Sequence, residues 1–334
     1  MTRISTTPPA DLTAAIARLL EERSRRDLAE RATRISAIYR AEGRTAEAIR
    51  DETDALAYAL TRLPATYAAT VDALGRLAEQ APDFRPRRML DLGAGLGTAS
   101  VAAGEIWPEI ETFALLDRSR AFLQTVGRLA ETGVAALSRA RLIEGDLPAP
   151  TLDRYDLVVA SYAMTEMPEN ALAGVVDAAF AACDGALAIV EPGTPRDYRR
   201  LMFARERLVA SGARIAAPCP HDRPCPLAAP DWCHFSARLA RSRDHRLVKG
   251  ADAPFEDEKF GYLIAVRAAL GAVPAAARAL ARPAALKHGL RIKLCTAAGI
   301  EEAVVQKRDK RTFGPIKKKG WGDAVALEET SAKP

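Results

Sequence analysis

Four of the five cysteines in this 334-residue chain form one spaced set: Cys219, Cys225 and Cys233 within fifteen residues, and Cys295 far downstream. The local text is APCPHDRPCPLAAPDWCHF, where proline directly follows Cys219 and Cys225 and interrupts regular structure between the three thiols. Cysteines that merely fill a core sit singly on apolar faces. These sit in a Pro-rich loop beside His221, Asp222, Arg223 and His234, and thiolates converging from two parts of a chain suit one metal centre. Spacing alone supports zinc and an iron–sulfur cluster equally. The opening MTRISTTPPADLTAAIARLLEE carries no secretory pattern, so a disulfide framework is the weaker account.

A second chemical segment is RRMLDLGAGLGTASVAAGEIW, which reads as a strand, a glycine-rich turn and a helix. Gly93, Gly95 and Gly97 allow a sharp turn and close approach of a ligand to the backbone. Alone the pattern is weak, because dinucleotide sites share it. Asp91 ahead of the turn resembles the acidic first motif of class I methyltransferases that use S-adenosylmethionine (SAM). Asp117 ends the next strand, where a carboxylate accepts hydrogen bonds from ribose hydroxyls. Asp146 follows the third strand, at the place where such enzymes contact the adenine amine. A pyrophosphate would be repelled by this acidity, whereas a sulfonium cation tolerates it, so SAM is preferred to NAD. Substrate contacts are expected after the fourth strand, in Ser161–Glu166, with Tyr162 and Glu166 as candidate catalytic residues and Glu191, after the fifth strand, as a third. No Asn-Pro-Pro-Tyr signature or cytosine-type cysteine nucleophile stands there; methyl transfer depends more on in-line positioning than on acid–base groups. Cys183 reads as a lone buried residue on a helix.

The elements that must position these groups follow from periodicity. Residues 10–80 read as helices, the third starting near Thr45 and ending at Pro64, the fourth running to Pro82. From Pro86 onward short apolar strands at Arg88–Leu92, Thr112–Leu116, Ala140–Ile143, Asp156–Ala160 and Ala186–Val190 alternate with helices, which predicts an α/β fold with a doubly wound, mainly parallel sheet. Residues 258–267 predict a late strand, placed at an antiparallel edge, and GLRIKLC with EEAVVQKR predicts a hairpin around Thr296–Gly299. The expected division is a helical N-terminal domain (1–84), a SAM-binding Rossmann-like core (85–205), a Cys-rich insertion (206–250), a late strand and helical connection (251–281), and a basic hairpin and tail (282–334).

Charge is unevenly spread. From Arg282 to the end there are twelve Lys and Arg against six Asp and Glu, so the preceding residues carry −1 of the +5 total. A near-neutral body with a basic tail points to a polyanion, RNA above all. Lys317, Lys318 and Lys319 are the candidate phosphate contacts and Trp321 a candidate stacking residue. The stretch 307–323, basic and broken by Gly and Pro, is expected to order only on its partner. No run approaches the roughly 18 apolar residues of a membrane span, and the expectation is a soluble cytoplasmic protein with no membrane partner.

Several stretches together resemble one family, the small-ribosomal-subunit methyltransferase-like proteins known as mitochondrial ribosome assembly factors, with bacterial relatives. The similar segments are LPATYAATVDALGRL, LDLGAGLGTA, EPGTP, APCPHDRPCPL with WCHFSARLAR, DEKFGYLIAVR, and LCTAAGIEE with KKKGWGD. The resemblance implies a [4Fe–4S] cluster on Cys219, Cys225, Cys233 and Cys295, shifting the choice from zinc. It further implies ribosomal RNA of the small subunit and the assembling subunit as partners. Two roles remain open: a SAM-dependent rRNA methyltransferase, or a non-catalytic assembly factor that keeps the fold.

Overall fold

The structure is a computed structural model and describes residues 5–21, 23–41, 48–147, 152–249 and 252–326. Among the described residues four helices lead: α1 (Ala10–Leu20), α2 (Arg25–Arg40), α3 (Glu52–Thr61) and α4 (Leu63–Gln80). The expected helix start near Thr45 lies outside the described residues. Pro64, expected to end the third helix, instead sits in the first turn of α4, where its missing N–H costs nothing.

The alternating part follows: β1 (Arg88–Leu92), α5 (Thr98–Ile106), β2 (Thr112–Asp117), α6 (Arg120–Glu131), β3 (Ala140–Glu144), β4 (Tyr155–Ser161), α7 (Glu169–Ala181), β5 (Cys183–Pro192), α8 (Pro195–Ala210), β6 (Arg214–Ala217), β7 (Phe235–Ala240), α9 (Arg243–Lys249) and β8 (Phe255–Val266). The sheet runs β3-β2-β1-β4-β5-β8-β6, with β7 also on β8. Strands β1 to β5 are parallel and β8 is antiparallel to its neighbours. Both faces of the central strands are covered, so they read as continuous apolar runs rather than as alternation. Met89, Leu157 and Val159 join α1–α5 on one face, while Leu90, Leu92, Val158 and Ala160 join α7 and α8 on the other. The N-terminal helices therefore share one core with the sheet.

Two expectations change here. Residues 258–267 were placed at an edge, yet β8 lies inside the sheet, between β5 on one side and β6 and β7 on the other. Cys183 starts β5 rather than lying on a helix; it is buried all the same.

β6 and β7 share the same side of β8, end to end. Ala217 pairs with Ile264 and Phe235 with Phe260. Those partners are four residues apart on β8, about 13 Å at strand rise. The chain between them, residues 218–234, therefore leaves and re-enters the sheet at one seam, and its three cysteines ride on that excursion.

A second sheet has the order β10-β11-β9-β13, with β12 on β11. Its strands are β9 (Ala277–Ala279), β10 (Ala284–Leu286), β11 (Gly289–Thr296), β12 (Ile300–Gln306) and β13 (Ala324–Val325), with α10 (Lys310–Lys317) packed on it. The stretch 307–323, expected to order only on a partner, is thus folded within the chain. Asp309 caps α10, Ile316 is buried in the small core, and Asp323 forms an ion pair with Arg76 of α4 at 3.0 Å. Among the described residues no helix is long and apolar enough to cross a membrane.

Candidate functional site

The glycine turn joins β1 to α5 at the carboxyl end of the parallel strands, where open α/β sheets bind ligands. Gly93 and Ala94 donate to the carbonyl of Leu116, locking the turn onto the end of β2. Gly93, Gly95 and Gly97 all have positive φ, between 54° and 71°. A Cβ at Gly93 would lie 2.6 Å from that of Ala163, and one at Gly97 would lie 2.6 Å from the Leu137 side chain. At Gly95 only the Phe122 ring is within reach, at 3.8 Å. Two of the glycines are needed for space as well as for φ; Gly95 is needed for φ and for the room beside it.

The three acids take different roles. Asp91 is buried and accepts from both the backbone N–H (3.1 Å) and the hydroxyl (2.8 Å) of Ser100. Burial pushes its carboxyl up to about 7 in spite of those bonds. Asp117 accepts from Gly95 N–H and Ser119 N–H, each at 2.7 Å, so the carboxylate that ends β2 also holds the glycine turn. Burial raises its pKa as well. Asp146 is exposed, 3.7 Å from Arg118. Gly93, Asp117 and Asp146 line one cavity of about 310 Å³ together with Tyr162 and Glu166. Asp91, Gly95, Asp117, Tyr162 and Glu166 line an adjoining one. The structure thus places all but Gly97 of the expected cofactor residues on two hollows that share Gly93, Asp117, Tyr162 and Glu166.

The candidate catalytic residues divide. Tyr162 has φ 57°, the one non-glycine in the left-handed region among the described residues; an aromatic there costs on the order of 1–3 kcal/mol. Its hydroxyl donates to Glu258 Oε1 at 2.8 Å. Glu166 lies on a single turn, Met164–Glu166, at the rim of both hollows. Glu191 lines neither hollow. It is wholly buried, accepts from the N–H groups of Met164 and Thr165 at 2.9 Å each, and is pushed up to about 8 by burial. Its work is to hold the loop after β4 in place rather than to touch a substrate. Sequence reasoning did not single out Tyr58 of α3 or Thr66 of α4, which roof the inner hollow, nor Thr70, whose hydroxyl is 2.7 Å from that of Ser161. Their only sequence signal is helical periodicity, which says that a face is buried and not against what.

The four cysteines converge. Cys219, Cys225 and Cys233 from the seam loop and Cys295 from β11 line a single cavity with Tyr198, Leu201, Met202 and Arg278. All four are free thiols. Burial raises Cys219 and Cys233 and takes Cys295 up to about 12, with the neighbouring sulfurs adding to the effect. A metal reverses this by making the thiolate its ligand. Among the described residues no three His, Cys, Asp or Glu are arranged to hold a single ion. Four soft sulfurs facing one hollow are the donor type that zinc and iron–sulfur groups share.

The C-terminal sheet reaches this loop through several contacts. Lys293 of β11 pairs with Asp231 at 2.8 Å, and His234 lies between Trp232 and Trp321, with ring centroids 4.9 and 4.5 Å away. Trp321, the candidate stacking residue, therefore packs against His234 and the main core. Lys317 and Lys318 are exposed, whereas Lys319 donates to the carbonyl of Ala324 at 2.7 Å.

The strand order, with its internal antiparallel strand, and the glycine–carboxylate hollow define a protein of the class I methyltransferase fold. The family described as "Mitochondrial small ribosomal subunit Rsm22" matches residues 52–326, and the chain belongs to it. Ribosome assembly protein METTL17, mitochondrial, from Homo sapiens is 29% identical over 229 residues, which is 64% of this chain and 48% of that protein. Rsm22-cox11 tandem protein 2, mitochondrial, from Schizosaccharomyces pombe is 25% identical over 201 residues, 54% of this chain and 27% of that protein. The match thus spans half or less of either relative. Among solved structures, precorrin-6y C5,15-methyltransferase from Geobacter metallireducens aligns at 15% identity over 59% of this chain and 87% of that chain, TM-score 0.41. Magnesium protoporphyrin IX methyltransferase from Synechocystis aligns at 14% over 61% and 84%, TM-score 0.42. The mitochondrial naming of the family and of both relatives overturns the expectation of a cytoplasmic protein.

Proposed function

We propose that this chain binds SAM in the hollow above β1, β2 and β4 and acts on the assembling small ribosomal subunit, through its RNA, with a [4Fe–4S] cluster on Cys219, Cys225, Cys233 and Cys295 as a structural knot. The observation that carries the SAM part is the placement of Asp91, Asp117 and Asp146 with the glycine turn on two hollows that share Gly93 and Asp117. Asp117 would hold the ribose, Asp146 and Arg118 would flank the base, and Asp91, bonded to Ser100, would fix the start of α5 beside the turn. SAM, when bound, supplies an electrophilic methyl group; the protein's part is to orient it, exclude water and leave one line of approach. The ribosomal part is supported by family membership and by the relatives' names, which speak of ribosome assembly and the small subunit. The cluster reading is supported by the convergence of four thiols from two parts of the chain on one hollow.

Calorimetric titration of the purified chain with SAM tests the first part: saturable binding is expected, and it weakens at least tenfold in Asp117→Ala. Protein isolated without oxygen should be brown, with iron and sulfide in equal amounts; a colourless preparation with stoichiometric zinc refutes the cluster. Crosslinking to small-subunit rRNA, lost on competition with that RNA and kept with DNA, tests the partner.

A second reading, a non-catalytic assembly factor, is favoured by a separate observation. Tyr58 and Thr66 roof the inner hollow, and the Tyr162 hydroxyl is already committed to Glu258. A base entering the inner hollow has to share it with Tyr58, Thr66 and Tyr162. Comparing rRNA methylation maps of wild-type and deletion cells decides: a lost mark restored by the wild-type protein, and not by Gly95→Arg, rejects the non-catalytic role.

A further inference from the structure

Two arginines are wholly enclosed beside the four thiols. Arg205 and Arg278 are each 1% exposed, the two largest fully buried side chains of the described residues. Arg278 sits on β9, directly opposite Cys295 in the strand register. Its Nε donates to the carbonyl of Pro218, next to Cys219, and its Nη1 to that of Gly322. Arg205 donates through Nη2 to the carbonyls of His221 and Arg223, inside the seam loop. On α8, Tyr198, Leu201, Met202 and Arg205 follow helical spacing and share one face; the first three line the thiol hollow, and the Tyr198 hydroxyl donates to the Cys225 sulfur at 3.2 Å.

Among the described residues neither guanidinium meets a carboxylate, and each keeps one buried nitrogen without a partner: Nε of Arg205 and Nη2 of Arg278. A buried charge in that condition is strongly disfavoured unless something negative faces it. With their protons on, the thiols supply nothing negative. Four thiolates around a doubly positive centre, whether a [4Fe–4S] cluster or a zinc ion, carry a net charge of about −2. Two guanidinium charges match it.

We propose that Arg205 and Arg278 are the built-in counter-charges of the group held by the four cysteines, donating their spare N–H groups to its sulfur atoms. The proposal rests on the cluster reading given above. It makes the two arginines positioning residues: they set the affinity and the reduction potential of the group without ligating it. It also explains why β9, which carries no cysteine, is part of the site.

The test uses the full chain prepared without oxygen as wild type, Arg278→Lys, Arg278→Gln, Arg205→Lys and Arg205→Gln. Iron and sulfide per chain, the rate of iron loss to a chelator, and the midpoint potential from a dithionite titration followed optically are the readouts. Removing positive charge disfavours the added electron. Each Gln variant should therefore shift the reduced-to-oxidised ratio about tenfold toward the oxidised form, a potential about 59 mV more negative for a one-electron couple. Each should also lose iron about tenfold faster, while the Lys variants stay within threefold of wild type. If Lys and Gln variants lose iron equally and the potential does not move, the arginines only pack the loop and the proposal fails. If one Gln variant does not fold, the other carries the test. A colourless zinc-loaded wild type refutes the cluster reading by itself; chelator kinetics on that protein still decide the arginines, with the same order of Gln before Lys.

Discussion

Replacing each glycine of the turn by alanine separates two reasons for glycine that sequence cannot tell apart. At Gly93 a methyl group meets a left-handed φ of 66° and the Cβ of Ala163 at 2.6 Å. The first costs roughly 1–2 kcal/mol and the second, as overpacking, roughly 1–3 kcal/mol. Gly93→Ala should thus lose about 2–5 kcal/mol, a large part of the 5–15 kcal/mol typical of a folded protein. Gly97→Ala meets Leu137 at 2.6 Å and Leu115 at 3.0 Å and should lose a similar amount. Gly95→Ala has the same backbone penalty, but its nearest neighbour is the Phe122 ring at an ordinary 3.8 Å, so about 1–2 kcal/mol is expected. Its methyl instead narrows the inner hollow, and SAM affinity should fall at least tenfold in protein that remains folded. Urea denaturation with unchanged m-values, followed by calorimetry on the folded variants, measures both. Should Gly95→Ala prove as destabilised as Gly93→Ala, the crowding argument is refuted; should it bind SAM like the wild type, the hollow is not where the ligand lies.

Three other outcomes are expected. Asp91 and Glu191, raised to about 7 and about 8, hold protons in the folded protein that the unfolded chain releases near pH 4. Their contribution is whole below that pH and is lost as pH rises from there through the raised values, so stability should fall progressively between about pH 4 and 8, by up to about 4 kcal/mol per group at the limit, and level off above. His221 and His234, which are lowered, act with the opposite slope at lower pH. Urea midpoints of wild type and Asp91→Asn check this, and a wild-type profile that does not fall between about pH 5 and 8 counts against it. Cys295→Ser should abolish loading of the four-thiol hollow and raise hydrogen exchange in β9, β11 and β13, read by mass spectrometry; unchanged protection there would mean that no metal group ties that sheet down. Lys317→Ala with Lys318→Ala should weaken rRNA binding and reduce its salt slope by about 2, while Lys319→Ala should instead lower stability by breaking its bond to Ala324; equal RNA losses from all three would undo that division.

Much of the core was legible because β1 to β5 are buried on both faces and appear as short apolar runs between helices. The cysteine set was legible because metal ligands are chosen by type and spacing rather than by fold. What could not be read was long-range pairing. β8 is written like an edge strand, since only its Phe260–Val266 half is fully buried, and nothing local says that it enters between β5 and β6. The four-residue β6 is too short to carry a periodic signal, so the seam from which the cysteine loop springs was hidden as well. The 307–323 stretch misled through composition: its lysines and glycines suggest a free tail, yet Ile316, Trp321 and Asp323 give it three anchors on the rest of the protein. Glu191 was expected at the substrate because it follows a parallel strand, but both its oxygens are spent on backbone N–H groups.

The imidazole of His234, stacked on Trp232 and in tilted contact with Trp321, gives the molecule an optical gauge of its own assembly. One indole belongs to the excursion between β6 and β7, the other to the final segment, and Trp107 lies apart, packed edge-on against Phe84. Emission from the pair changes whenever those two pieces separate, so detachment of the chain's end can be followed in real time without any added dye.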